Sequence, residues 1–244
     1  MNNADYIRKK VWKNLSKVAQ PDTRFHLNFA EYIPDFQGSR EATENILNLK
    51  EYKDCKYAFV TPDNCLTGVR KQMIDNEIPY VMSTYGIYRG FVLIEPKNVP
   101  QGSSLYAAWL DGAEHFGNYI KLNEIKNRQK FDLLITGASA VSKNGVRFGK
   151  GHGFFDLEWG MFSEIGVVDE STKIIALVHD CQFVQEDLNP NKTDILVDFI
   201  VTPTAVHSVQ KRGTRPKGIH WELLEDTQIE NTPPLKELMQ WRSI

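Results

Sequence analysis

The chain has 244 residues, 41% of them hydrophobic, with 29 Lys and Arg against 31 Asp and Glu. A chain of this length can bury a full apolar core without covalent staples, and a net charge of −2 excludes a surface given over as a whole to nucleic acid. Cys55, Cys65 and Cys181 form no CxxC pair, which argues against a disulfide framework or a zinc site.

The opening residues have no apolar signal core and no window reaches the length of a membrane span. A reducing, cytoplasmic setting is expected, with a small molecule rather than a nucleic acid or a membrane as partner. Oligomeric state is left open.

Ala4, Ile7, Val11, Leu15 and Val18 recur every three to four residues and predict an amphipathic helix that stops before Pro21. Residues 22–38 hold Pro34 and Gly38 with no period and read as an irregular arm. Ser39 is placed to cap a second helix with Ala42, Ile46 and Leu49 inside. "KYAFVT" (56–61) reads as a strand stopped by Pro62-Asp63, and Leu66, Val69 and Met73 as the next helical face. Strands follow at "YVMST" (80–84) and "GFVLIEP" (90–96), then a helix near 104–112 and a polar break at Asn118. Further strands are expected at "FDLLIT" (131–136), "KIIALVHD" (173–180), "ILVDFIVTP" (195–203) and "GIHWELL" (218–224). A final helix begins near Pro234.

Strands that are continuous apolar runs, alternating with helices, imply a mainly parallel sheet covered on both faces. The expected fold class is α/β, a three-layer α/β/α sandwich. It is expected to form one domain over 1–244, with an N-terminal helix and arm at 1–38 and a core at 131–222.

Within that core lies "GVRFGKGHGFFDLEWG" (145–160), where Gly149, Gly151 and Gly153 alternate with other residues. Fixed glycine costs conformational entropy, so three together suggest a need for bare backbone. The loop follows a strand and the turn-like "SKNG" (142–145), and it enters a helix with Phe155, Trp159, Phe162 and Ile165 at helical spacing. Free amides and the helix dipole at such a start suit phosphate oxygens. Arg147 and Lys150 add full charges and His152 another donor. An ordinary tight turn is the competing reading; the spacing fits neither GxGxxG nor GxxxxGK[ST]. Asp156 is either a carboxylate that complements the helix start or a magnesium ligand beside bound phosphates. Asp198, inside the apolar "ILVDFIV", is either a second metal ligand or a salt-bridged core aspartate.

"RFGKGHGFFD" (147–156) resembles the nucleotide-binding motif of the 5-formyltetrahydrofolate cyclo-ligases, also called methenyltetrahydrofolate synthetases. The wider "ITGASAVSKNGVRFGKGHGFFDLEWG", with "VHDCQ", "DILVDFIVTPT" and "PKGIHW", is most similar to the branch of methenyltetrahydrofolate synthetase domain-containing proteins. The resemblance is dense over 131–222 and looser over 5–95. It implies the sandwich fold shared with glucosamine-6-phosphate deaminase, ribose-5-phosphate isomerase and the CoA transferases. It also implies conversion of 5-formyltetrahydrofolate to 5,10-methenyltetrahydrofolate with ATP and Mg²⁺. By the same motif, Arg147, Phe148, Gly149, Lys150, Gly151, His152, Gly153, Phe154 and Phe155 would hold the ATP phosphates and border the folate. Arg147 and Lys150 would act in catalysis, Asp156 and Asp198 would hold the metal, and Arg8 would reach the nucleotide from the N-terminal helix.

Two positions depart from the family. Ala4 stands where a lysine precedes the helix arginine, and Cys65 where a glutamate contacts the folate, with Asp63 the nearest carboxylate. A nucleotide-binding member without cyclo-ligase turnover is therefore the alternative, and another enzyme of the same fold is a third.

Other features carry less. "YRGFVLIEP" (88–96) begins like an RNA-recognition strand motif, but Val92 and Leu93 break it. Lys211, Arg212, Arg215 and Lys217 in "QKRGTRPKG" (210–218) form a solvated loop or a phosphate-side clamp. On a strand His179 and Cys181 would share a face and could pair as imidazole and thiol, with Asp180 at the strand end; a small core cysteine is the plainer reading.

Overall fold

The computed structural model describes residues 3–210 and 213–242. In chain order its elements are α1 (Asn3–Leu15), α2 (Ser39–Asn48), α3 (Lys50–Lys53), β1 (Ala58–Val60), α4 (Thr67–Asp75), β2 (Tyr80–Ser83) and β3 (Phe91–Ile94). Next come α5 (Ser104–Ala108), α6 (Leu110–Phe116), β4 (Asn118–Ile120), α7 (Leu122–Lys126), β5 (Leu133–Thr136), β6 (Ala140–Ser142), β7 (Arg147–Phe148) and α8 (Phe154–Glu164). The remainder are β8 (Lys173–Leu177), β9 (Phe183–Val184), β10 (Phe199–Val201), β11 (Val206–Ser208), α9 (Asp226–Asn231) and α10 (Pro233–Arg242).

The main sheet runs β11-β10-β8-β5-β1-β2-β3-β4. Its middle, β10-β8-β5-β1-β2, is parallel. The edges are antiparallel: β11 on one side, β3 and β4 on the other. Alternate strand residues point to opposite faces. Phe59, Leu134, Ile174, Ala176 and Ile200 meet Phe155, Trp159 and Phe162 of α8 and Leu235 and Leu238 of α10. Ala58, Val60, Leu133, Ile135, Ile175 and Leu177 meet Ala42 and Ile46 of α2, Val69 and Met73 of α4, and Ala107, Ala108 and Ala113 of α5 and α6. Helices thus cover both faces, the three-layer arrangement that the apolar strands imply. Among the described residues no helix is long and apolar enough to cross a membrane.

α1 buries Ala4, Ile7, Val11 and Leu15, the face its spacing predicts. At α2 the expected cap moves by one residue. Ser39 is already helical, and Gly38, left-handed at φ +87, takes the cap without a side-chain bond. A Cβ on Gly38 would approach the Pro203 ring to 2.9 Å, so glycine is required there on both counts. The segment 218–224 is not a strand. It forms a single turn of 3₁₀ helix at Trp221–Leu223 and packs against α8, where a Cβ on Gly160 would strike Ile219 and the Gly218 oxygen. "ILVDFIVTP" is extended in the sheet only over β10, while Leu196 bridges to Val146. β3 is buried throughout, a plain sheet strand rather than an RNA platform.

Between β5 and α8 the chain makes a hairpin. β6 pairs antiparallel with β7 and parallel with β9 in a small second sheet, turning at Gly145, whose amide donates to Ser142 at 2.9 Å. This hairpin delivers the glycine loop to the carboxyl ends of β1, β2 and β5, the edge where parallel α/β sheets present ligand sites.

Candidate functional site

The loop leaves β7 at Phe148 and enters α8 at Phe154. Gly151 (φ +118) and Gly153 (φ +67, the cap of α8) have backbone conformations that residues with a Cβ rarely adopt. Among the described residues the amides of Gly149 through Gly153 donate to no backbone carbonyl. Gly151, His152 and Gly153 are exposed.

Basic side chains gather at the loop from α1, from β7 and from the loop itself. Arg147, 6% exposed, donates through Nε to the Gly137 oxygen at 2.8 Å, with its guanidinium 4.7 Å from the Phe155 ring centre. Arg8 crosses from α1, donating to the Gly149 oxygen and to Asp5, both at 2.7 Å. Lys150 donates to the Glu31 oxygen at 2.8 Å and lies over the Tyr85 and Phe154 rings; burial lowers its pKa. His152 sets Nε2 3.3 Å from the Ala30 oxygen and stacks on Phe154. The loop is thus fastened to the 22–38 arm by Lys150 and His152, and to α1 by Arg8.

Under the loop opens a small pocket, walled by Ile33, Pro62, Tyr85, Ile87, Phe154 and Phe155. Its polar lining includes Asp63, Ser83, Arg147, Lys150, Asp156 and Glu158. Asp63 accepts from Thr61 Oγ1 at 2.5 Å and from the Gly137 amide at 2.9 Å. Asp156 accepts from the Ile195 amide at 3.1 Å. Burial pushes the Asp156 carboxyl up to about 7 against the pull of Arg147.

Glu158, 2% exposed, is raised by burial to about 8; Asp63 and Asp156 add to the rise while Ser83 and Arg147 oppose it. Its Oε2 has no hydrogen-bond partner among the described residues. Sequence reading missed Glu158, although it lies three residues after Phe155 and four before Phe162, on the apolar face of α8. A carboxylate at that register was the available signal.

Of the residues expected at the site, Arg8, Arg147, Lys150, His152, Phe154, Phe155, Asp156 and the three glycines come together around the loop. Phe148 does not line the pocket: it packs behind the loop with Ala4, Ile7 and Val11 of α1. Cys65 is also set apart, with its thiol buried 3.8 Å from the Leu177 oxygen and pushed well above its usual pKa by that burial. Asp63 is the carboxylate that faces the pocket from that turn.

Asp198 is not with Asp156. It precedes β10 and accepts from the Ile174 amide at 2.8 Å, at the amino ends of the parallel strands, the edge opposite the loop. There it pairs with Arg215, whose guanidinium also donates to the Leu196 and Thr172 oxygens at 2.8 Å and lies over Trp159. The shared metal pair is corrected to a salt-bridged core aspartate.

The same contact removes Arg215 from any phosphate clamp. Lys217 is exposed, while Lys211 and Arg212 lie outside the described residues. Among the described residues no group of three or more His, Cys, Asp or Glu could hold a metal ion. Asp156 could still supply one carboxylate to a magnesium ion that takes its other ligands from phosphate and water, a common arrangement for Mg²⁺.

The imidazole–thiol pairing is also corrected. The chain leaves the sheet after Leu177, and His179 Nδ1 accepts from the Cys181 backbone amide at 3.1 Å. Burial raises the Cys181 thiol to about 11, so it is not a thiolate nucleophile.

Chemically, the site offers unpartnered amides at a helix start, guanidinium and ammonium groups beside them, and an aromatic-walled pocket ending in carboxyls. That combination suits a ligand with an anionic tail and a flat, hydrogen-bonding head.

The sequence model of the 5-formyltetrahydrofolate cyclo-ligase family matches residues 1–203. The chain is 30% identical over 243 residues to a methenyltetrahydrofolate synthase domain-containing protein of Danio rerio. It is 31% identical over 236 residues to the protein of that name in Homo sapiens. Each match takes in 95% of this chain and 60% of the relative, so the chain spans less than two thirds of their length. The NMR structure of Aquifex aeolicus 5,10-methenyltetrahydrofolate synthetase shares the fold, with a TM-score of 0.53 and 17% identity over 89% of this chain and 98% of that one. With its glycine loop and fold in this setting, the chain belongs to the 5-formyltetrahydrofolate cyclo-ligase family.

Proposed function

We propose that this protein binds MgATP and a reduced folate and converts 5-formyltetrahydrofolate to 5,10-methenyltetrahydrofolate. The observation that carries the reading is the run of loop amides from Gly149 to Gly153 without backbone acceptors, next to the start of α8 and the pocket. Those amides and the helix dipole would hold the phosphates. In the reaction the formyl oxygen takes the γ-phosphoryl group from ATP. N10 then attacks the formyl carbon and loses its proton, and that oxygen departs with the phosphate, leaving ADP and phosphate.

The protein's part is positioning and charge neutralisation. Arg147 is held in place by Gly137 and Phe155, so its charge is already fixed beside the loop. Lys150 sits between the loop and the aromatic wall, where it can meet the transferring group. Phe154 and Tyr85 border the folate and keep water from the reacting atoms. Magnesium, held by Asp156 and phosphate oxygens, would neutralise phosphate charge when bound.

Incubation of the purified protein with 5-formyltetrahydrofolate, ATP and Mg²⁺, following absorbance of the methenyl product, tests this. Ala4 and Cys65 in place of the family's lysine and glutamate favour a second reading, nucleotide binding without turnover. Tight ATP binding with no product would select it.

A further inference from the structure

We infer that Glu158 recognises the inner end of the ligand, its Oε2 accepting a hydrogen bond from the exocyclic amine of a 2-amino-4-oxo heterocycle. The inference rests on the folate reading above and adds to it a residue of this chain that the glycine motif does not contain. Buried side-chain oxygens in folded proteins almost always have a partner, and one left without costs free energy. Glu158 is 2% exposed and lines the pocket, yet its Oε2 has no partner among the described residues. The neighbouring Asp63 differs, because Thr61 and Gly137 already donate to its Oδ2.

The surroundings define what completes Glu158. Asp63 lines the same pocket and acts on Glu158 as a second acid, so an anionic group is repelled from this end and a donor is favoured. A metal ion held by protein ligands alone is disfavoured, because no group of three or more His, Cys, Asp or Glu among the described residues could hold one. Tyr85, Phe154, Ile33 and Ile87 give flat apolar walls, which suit a planar ring carrying its N–H donors in the ring plane. Lys150 and Arg147 stand by the loop, where an anionic tail would lie. The ligand is therefore oriented with its amine inward and its charge outward.

The test uses the full chain and calorimetry with two ligands, 5-formyltetrahydrofolate and its analogue bearing a 2-methyl group in place of the 2-amino group. The wild type should bind the analogue at least tenfold more weakly. Glu158→Leu should lose at least tenfold in affinity for 5-formyltetrahydrofolate, bind the two ligands alike, hold MgATP within twofold of wild type, and melt no lower than wild type. Equal binding of both ligands by the wild type, or full folate affinity in the variant, would overturn the assignment alone. So would a variant that melts lower or does not fold, because the carboxyl would then be structural. A wild type that binds no folate would overturn the folate reading and this assignment together.

Discussion

Lys150 Nζ donates to the main-chain oxygen of Glu31 at 2.8 Å, so the basic residue between two loop glycines is held by the N-terminal arm. It also lines the pocket beneath the loop. Lys150→Ala should weaken MgATP binding roughly tenfold, in keeping with the loss of one charge-assisted hydrogen bond. Calorimetric titration with MgATP measures this, and an unchanged dissociation constant would remove Lys150 from the phosphate site.

Asp156 faces the same pocket from the first turn of α8. Asp156→Asn keeps the shape and the acceptor for the Ile195 amide but removes the charge. The magnesium concentration that half-saturates ATP binding should rise by about tenfold. An unaltered magnesium titration would count against its role as a ligand.

Asp198 should behave in the opposite way. Asp198→Ala leaves the Arg215 guanidinium buried without its carboxylate, a loss of about 3–5 kcal/mol when one partner of a buried pair is removed. Urea unfolding reads that loss directly. In the fraction that remains folded, the magnesium titration should match wild type, and a shifted titration with unchanged stability would restore Asp198 to the metal.

The free protein should lose stability as pH rises. Glu158 moves from 4.5 to about 8 on folding, so the folded state binds its proton more tightly than the unfolded state. Its stabilising effect is complete below 4.5 and is lost as pH climbs through about 8. Asp156, raised from 3.8 to about 7, acts in the same direction. His179, lowered by burial, works against them below its ordinary value, so the difference between two proteins is the cleaner reading. Melting temperature measured between about pH 5 and pH 8 should fall more steeply for wild type than for Glu158→Leu. Equal slopes would show that the Glu158 carboxyl ionises freely.

The parallel middle of the sheet was legible because β1, β5, β8 and β10 are apolar on both faces. Their order in the sheet was not, because neighbours such as Phe59 and Leu134 are far apart in sequence. "GIHWELL" misleads for a related reason: alternating apolar residues specify a strand only where a sheet edge is free. Here Ile219 turns onto α8 while Leu223 is 55% exposed. At the site, the glycines, Arg147 and Lys150 announced themselves by spacing. Asp198 did not, because an aspartate in an apolar run looks alike whether its partner is a metal or an arginine 17 residues away. Glu158 was hidden by being a single acid in an aromatic helix, and its meaning appears only when Ser83 at the end of β2 and Asp63 in the turn after β1 are seen against it.

The anchoring of the glycine loop by Arg8, Glu31 and Gly137 means that the motif is not portable. Ten residues grafted onto another scaffold would carry the flexible backbone and the charges but none of the carbonyl oxygens that aim them. A segment starting at residue 131 would likewise lack the arm and first helix to which the loop is bonded. Transplanting the site would require moving these amino-terminal anchors with it.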